Sequence, residues 1–383
     1  MQKELTKILK ERRKDVINKA EDAEERLKER LGLYYTLRSL LGAPWTWAWL
    51  CGSRGRGKSY AAVEYCLRTR QKYGAENVKI YYLRISDLSV KTLLANHAAK
   101  AIEPKLARKY NLDISIKADT IFDHGKPLME VFALVSAAKK AKGTALFDSD
   151  FIDNAPPGVK RKIIIIWDEF QISEGVEKRT VGNPVEQFRI YIESLLRDQQ
   201  QTPGNDPAVR IICCANSVSE CAGAMAQLCN FIPQKLGRFW LTRKHTVIDN
   251  IPNSKAYEEK RKKSIGAAIM DYDNDANYTN ELKRDLETLK KKGHRLRTPT
   301  ALIKFSKKPS EWFIVWDGKI IKRYNNQTIS KNKIIAMRRY LDEFYNGDIV
   351  KNIIDRYDAR GFLFADLVSQ AYFAENLKAI KRQ

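Results

Sequence analysis

No stretch of about 18 apolar residues occurs anywhere in the 383-residue chain, which excludes a membrane-spanning helix as the reading of any segment. The start, Met1 to Lys14, is charged throughout and carries none of the apolar core of a secretory signal. C-x-x-C pairs are missing as well. The six cysteines, Cys51, Cys66, Cys213, Cys214, Cys221 and Cys229, sit mostly in apolar runs and read as reduced core thiols. Cys51 adjoins a glycine-rich turn, so a thiol activated by a helix terminus stands there as the alternative to a buried one. Neither an internal repeat nor a low-complexity tract occurs, which excludes solenoids, propellers and disordered arrays. These absences predict a soluble, cytosolic protein with no membrane partner. Acidic residues are in short supply: 46 face 69 lysines and arginines, for a formal charge of +23. That balance favours a polyanionic partner, nucleic acid first, although a ribosomal or solubilising role uses the same charge.

The length suits two domains at roughly 100–200 residues each. From Leu5 to Leu31 apolar residues recur mostly every three or four positions with charge between them. This predicts an amphipathic helix, either packed on the body of the protein or docking a partner. The period changes at Trp45 to Leu50, a short aromatic run after Gly42 and Pro44 that reads as a strand. A glycine-rich turn follows, then a helix over Ser59 to Gln71 and a strand over Val78 to Ile85, so the order is that of a βαβ unit. Ile163 to Trp167 and Val209 to Ala215 are nearly continuous in Val, Ile and Cys, as strands buried on both faces of a parallel sheet are. Val185 to Arg197 predicts a helix, and Gln199 to Pro207 a polar loop. Lysine-rich sequence from Ile251 to Arg297 reads as linker and helical hairpin. Beyond Pro299, the runs Ala301 to Phe305, Trp312 to Trp316 and Lys319 to Tyr324, the last two joined by Asp317-Gly318, predict a small meander, and helical patterns finish the chain.

Gly52-Ser53-Arg54-Gly55-Arg56-Gly57-Lys58-Ser59 satisfies G-x-x-x-x-G-K-[ST] at every position, between a predicted strand and a predicted helix. Glycines let such a loop wrap its backbone N–H groups around phosphates at the positive end of the helix, which makes residues 52–59 and the adjoining Tyr60 the candidate ATP site. Lys58 is placed to reach the β- and γ-phosphates, and Ser59 to offer its hydroxyl to Mg²⁺. Ile163-Ile164-Ile165-Ile166-Trp167-Asp168-Glu169 is a buried-strand run ending in two carboxylates, the pattern of a Walker B motif. Asp168 then shares the Mg²⁺ with Ser59, while Glu169 polarises the attacking water. Arg197 at the end of the predicted helix is either an arginine finger for a neighbouring subunit or a surface residue paired to Asp198. Asn216, directly after the Val209 strand, either senses the γ-phosphate or caps a helix.

With these motifs in place the sequence resembles the phi29-like DNA-packaging (encapsidation) ATPases of short-tailed bacteriophages. The likeness runs in order through Gly52 to Ala61, Asp168-Glu169-Phe170, Leu196-Arg197, Val209 to Ser219, Phe231 to Phe239 and Ile251 to Met270, and covers most of residues 40 to 320. It implies an α/β fold: a P-loop NTPase of the additional-strand, catalytic-glutamate type with a parallel-sheet core, plus a smaller α+β RNase H-like C-terminal domain. The boundaries expected are an N-terminal helical extension over 1–43, the ATPase domain over 44–250, a basic helical linker over 251–298 and a vestigial nuclease-like domain over 299–383. The resemblance also implies ATP and Mg²⁺ as cofactors, Arg197 acting in trans, and a trans-acting lysine before the Walker B strand, for which Lys140 is favoured over Lys139 and Lys142. Implied partners are double-stranded DNA, the portal of a procapsid and further copies of the chain in a ring, taken to be a pentamer. A structural RNA is a further candidate for the basic C-terminal region. The implied setting is the host bacterial cytoplasm, with transient docking on the portal. A rival reading, another double-stranded DNA translocase or terminase with an active C-terminal nuclease, needs Asp317 as one of several metal carboxylates rather than as a turn residue. A second rival is a nucleotide-gated DNA-binding or scaffold protein.

Overall fold

The computed structural model describes residues 32–134, 151–168, 183–196, 206–216, 218–263, 295–305, 311–325, 343–344, 356–357 and 361–380. The predicted N-terminal helix, Lys140, Glu169 and Arg197 lie outside them. The described strands are β1 Trp47–Cys51, β2 Val78–Arg84, β3 Ile114–Lys117, β4 Thr120–Asp123, β5 Lys126–Ala133, β6 Lys162–Asp168, β7 Val209–Ala215, β8 Gly237–Leu241, β9 Thr246–Asn250, β10 Pro299–Ile303, β11 Glu311–Trp316, β12 Ile320–Asn325, β13 Glu343–Phe344 and β14 Leu363–Phe364. The described helices are α1 Lys58–Tyr73, α2 Asp87–Ala98, α3 Pro104–Tyr110, α4 Pro184–Leu196, α5 Val218–Cys229, α6 Lys255–Lys262 and α7 Leu367–Ile380. The chain folds as two units, Met1–Ser217 with Leu236–Asn280, and Val218–Lys235 with Glu281–Gln383.

The first unit is built on a nine-stranded sheet in the order β3-β4-β5-β2-β6-β7-β1-β9-β8. Its six inner strands, β5 to β9 in that order, run parallel, and antiparallel pairs close both edges. All seven residues of β6 are buried, which explains the uninterrupted β-branched run: a parallel strand covered on both faces has no solvent side to make polar. Side chains alternate between the faces with period two. Ile164 and Ile166 join Leu50, Ile212, Val247 and the α1 residues Ala62, Val63 and Cys66 in one core. Trp167 points the other way and stacks on Phe188 of α4 with ring centroids 4.1 Å apart, while Trp47 packs against the same phenylalanine at 5.7 Å.

Strand register decides where the chemistry can gather. Cys51 pairs with Ala215, Asp168 with Cys214, and Leu83 with Trp167, so the C-terminal ends of β1, β2, β6 and β7 lie level at one sheet edge. Arg84 and Asp168 are the last residues of β2 and β6 at that edge, and Gly52 and Asn216 open the segments that leave β1 and β7. Crevices outside the C-terminal ends of parallel strands are where open α/β sheets bind ligands.

The second unit carries a five-stranded sheet, β13-β10-β11-β12-β14. Its centre is the antiparallel meander that the three short runs and the Asp317-Gly318 turn predict. The two short outer strands, by contrast, fall where only helical patterns were expected, and they pair in parallel with β10 and β12. Phe373 of α7 makes edge-on contacts with Phe305, Phe313, Phe362 and Phe364 and centres this core. α5 belongs to this unit, where Tyr372 of α7 donates its hydroxyl to the Ala226 carbonyl at 3.4 Å.

Candidate active site

The loop between β1 and α1 is shaped by its glycines. Gly55 and Gly57 take φ values of +83° and +82°, the left-handed region that side chains with a Cβ avoid. Gly52 has no room for a Cβ, which would stand 2.9 Å from Cβ of Ile251. Lys58 opens α1 and folds back over the loop, donating to the carbonyls of Gly52 at 2.7 Å and Ser53 at 3.0 Å. The first backbone N–H groups of α1 have no partner within the helix, so the loop ends on a cluster of donors and a positive dipole terminus.

Two of the loop's variable side chains, Arg56 and Ser53, are tied to protein rather than turned toward a ligand. Arg56 is buried and donates to the carbonyls of Gly32 at 2.6 Å, Leu33 at 2.8 Å and Pro252 at 3.2 Å, with its guanidinium 4.9 Å from the Tyr257 ring. Ser53 donates from Oγ to Asn253 Oδ1 at 2.9 Å, and the Tyr257 hydroxyl donates to the carbonyl of Arg54. What Ser53 and Arg56 offer to a bound phosphate is therefore chiefly backbone, while the Arg54 side chain is exposed. Segments before β1 and after β9 hold the loop from both sides.

Ser59 donates from Oγ to Oδ1 of Asp168 at 3.0 Å, across 109 positions of sequence. The other carboxylate oxygen, Oδ2, accepts from the Tyr82 hydroxyl at 2.5 Å and pairs with Arg84 Nη2 at 3.1 Å. Burial, and next the Asp168 charge, push the Tyr82 hydroxyl well above its ordinary range. Burial and Asp168 do the same to the Cys214 thiol on the neighbouring strand. Asn216 is half-buried and follows Ala215, whose carbonyl accepts from the Gly52 N–H at 3.2 Å, so it stands beside the start of the loop. Tyr60 is half-buried and packs against the core under α1. The structure thus brings together residues 52–60, Asp168 and Asn216. Sequence reasoning missed Tyr82 and Arg84, whose one signal was an arginine following the apolar run Ile80 to Leu83.

Residues 30–308 match the model of the Podovirus DNA encapsidation protein (Gp16) family. The chain belongs to this family. It is accordingly a phage DNA-packaging protein, and the match spans the whole nine-stranded sheet. In fold it is similar to a protein of the bacteriophage Phi-29 viral genome packaging motor assembly, with a TM-score of 0.56 at 16% identity over 90% of this chain and 99% of that one. The Phi-28 gp11 DNA packaging motor is as similar, with a TM-score of 0.56 at 14% identity over 91% and 98% of the two chains. No curated protein matches the sequence. The mixed α/β architecture with a large, parallel-rich sheet is therefore that of the packaging motors.

In the second unit, Asp317 takes φ +52° in the turn between β11 and β12. Its carboxylate accepts from the backbone N–H groups of Thr298 at 3.0 Å and Arg297 at 3.4 Å. That is the behaviour of a turn residue. Among the described residues no group of three or more acidic, histidine or cysteine side chains is placed to hold a metal ion.

Proposed function

We propose that this chain is a Mg²⁺-dependent ATPase that works as a ring of identical subunits, a pentamer by likeness to its family, and drives double-stranded DNA through a portal into a procapsid. The observation that carries the reading is the meeting of Ser59 and Asp168 at 3.0 Å, beside a loop whose backbone is shaped for phosphates. A hydroxyl and a carboxylate are the hard oxygen donors that Mg²⁺ selects, and half-buried Ser59 leaves room for the waters this ion keeps. The position of β7 between β1 and β6 supports the additional-strand type of P-loop ATPase.

Each residue then has a task. The loop N–H groups and Lys58 hold the phosphates, and Ser59 and Asp168 hold the metal, which when bound neutralises charge on the phosphate oxygens. Glu169, next after Asp168, takes the proton of the water that attacks the γ-phosphate as the bond to the leaving ADP breaks. Asn216 orients that water or senses the phosphate. Arg197 and Lys140 act on a neighbour's nucleotide, a contribution worth about 10³–10⁵ in rate for arginine fingers generally. We assign residues 44–250 to the ATPase domain, apart from the 218–235 segment that folds with the second unit, and 299–383 to a vestigial nuclease-like domain; of the expected linker over 251–298, the part up to Asn280 folds with the first unit. The basic surface suits phosphate contacts that track DNA without reading bases, and a structural RNA or the portal as a docking partner in the host cytoplasm.

The test is ATP turnover at fixed salt, with and without duplex DNA, for the unmodified protein and Glu169→Gln. Stimulation by DNA that disappears in the variant is the expected result. Binding of ATP without turnover at every concentration of protein, DNA and portal would overturn the motor in favour of a nucleotide-gated binding protein.

A further inference from the structure

We propose that Tyr82 and Arg84 are positioning residues for the metal carboxylate: they hold Oδ2 of Asp168 on the β2 side so that Oδ1 stays turned to Ser59. The inference rests on the nucleotide-site reading given above and adds to it two residues that lie outside both nucleotide motifs. The two side chains share one face of β2, two positions apart, and β2 pairs with β6 in a register that sets Arg84 level with Asp168. Tyr82 is 0%, Asp168 3% and Arg84 8% exposed, so the cluster is shut off from solvent. Within it the donors are divided unequally. Oδ2 takes the Tyr82 hydroxyl at 2.5 Å and the Arg84 guanidinium at 3.1 Å, whereas Oδ1 takes the Ser59 hydroxyl at 3.0 Å.

A carboxylate is symmetrical and rotates freely unless its oxygens are made different, and two donors on one oxygen make them different. Each ionised oxygen has about two lone-pair directions, so Oδ2 is filled by its two partners while Oδ1 keeps one for a further ligand. That remaining direction is on the Ser59 side, where the metal would be held. Arg84 also offsets the charge of a carboxylate that is buried whether or not a cation is bound, so the group need not rearrange when one arrives. Outer partners of metal ligands commonly govern affinity in this way.

The decisive variant is Tyr82→Phe, which keeps the ring and removes one donor, with Arg84→Lys as the second. Two quantities are read on the full-length protein: affinity for a non-hydrolysable ATP analogue in excess chelator, and Mn²⁺ affinity of the protein–analogue complex by electron paramagnetic resonance. Far-UV circular dichroism identifies which variants are folded. We expect chelator-state affinity to be unchanged and Mn²⁺ affinity to fall about tenfold. If the folded variants hold Mn²⁺ as tightly as the unmodified protein, or lose analogue affinity equally in chelator, the positioning role is overturned while the nucleotide site stands. Unmodified protein that binds neither analogue nor Mn²⁺ would overturn the nucleotide-site reading, and this proposal with it. Should Tyr82→Phe not fold, Arg84→Lys decides on the same two readings.

Discussion

Glu64 of α1 shows how single charged residues are made tolerable in a covered helix. Burial acts to raise its pKa, but Arg68 and Lys109 outweigh that and hold the carboxyl below its usual range, each nitrogen 3.0 Å from Oε1. Asp206 is treated alike: burial acts upward, and Lys162 at 2.7 Å with the Tyr73 hydroxyl brings the carboxyl down. Carboxyls depressed in the folded state stabilise it fully above their unfolded pKa, about 4, and lose that contribution as pH falls through the lower folded value. Denaturation midpoints should therefore hold steady from neutral pH to about pH 5 and drop below about pH 4, with a shallower drop in Lys109→Met, as urea titrations at stepped pH would show. An equally steep drop in the variant would remove Glu64 from the account. The site itself was half legible at this scale. Gly52 to Ser59 and Asp168 announce themselves because their chemistry is local, a loop and a strand end. Tyr82 and Arg84 act only through strand register, and the ties of Arg56 reach carbonyls 24 and 196 positions away, which no local pattern records.

At the scale of elements, visibility followed apolar density: β9 is buried throughout, but three of its five residues, Thr246, Asp249 and Asn250, are polar. Strands β1, β2, β6 and β7 are central and covered, so their apolar runs stand out, and the β10–β12 meander declares itself through short apolar runs, two of them joined by the Asp317-Gly318 turn. The β3–β5 and β8–β9 hairpins were not anticipated. β3 has three exposed residues of four and β8 alternates half-buried with exposed, so neither has the apolar density that marks a strand. On the sheet's second face, Phe188 of α4 touches both Trp167 and Trp47. Phe188→Ala should cost about 3–5 kcal/mol by cavity formation and the loss of the stacked pair. Chemical denaturation of the variant would measure it, and a loss under about 1 kcal/mol would mean that the tryptophans close the gap on their own.

For the whole molecule the +23 charge sets how it meets a polyanion. Binding that rests on phosphate contacts releases counterions, so stimulation of ATP turnover by duplex DNA should weaken steeply between about 50 and 200 mM salt and be indifferent to base sequence. A flat response across that range would rule out backbone contacts as the main attachment. The two units, meanwhile, exchange the chain more than once: it passes from the first to the second at 217/218, returns at 235/236 and leaves again at 280/281. The passenger is α5, whose buried Val218, Cys221, Met225 and Cys229 recur at helical spacing and whose partner α7 comes near the end of the chain. Neither unit is thus a detachable bead. A backbone cut at 280/281 should therefore leave two pieces that elute together in gel filtration, because α5 in the N-terminal piece packs on α7 in the other, whereas a fragment stopped at 250 should bare α5 and aggregate.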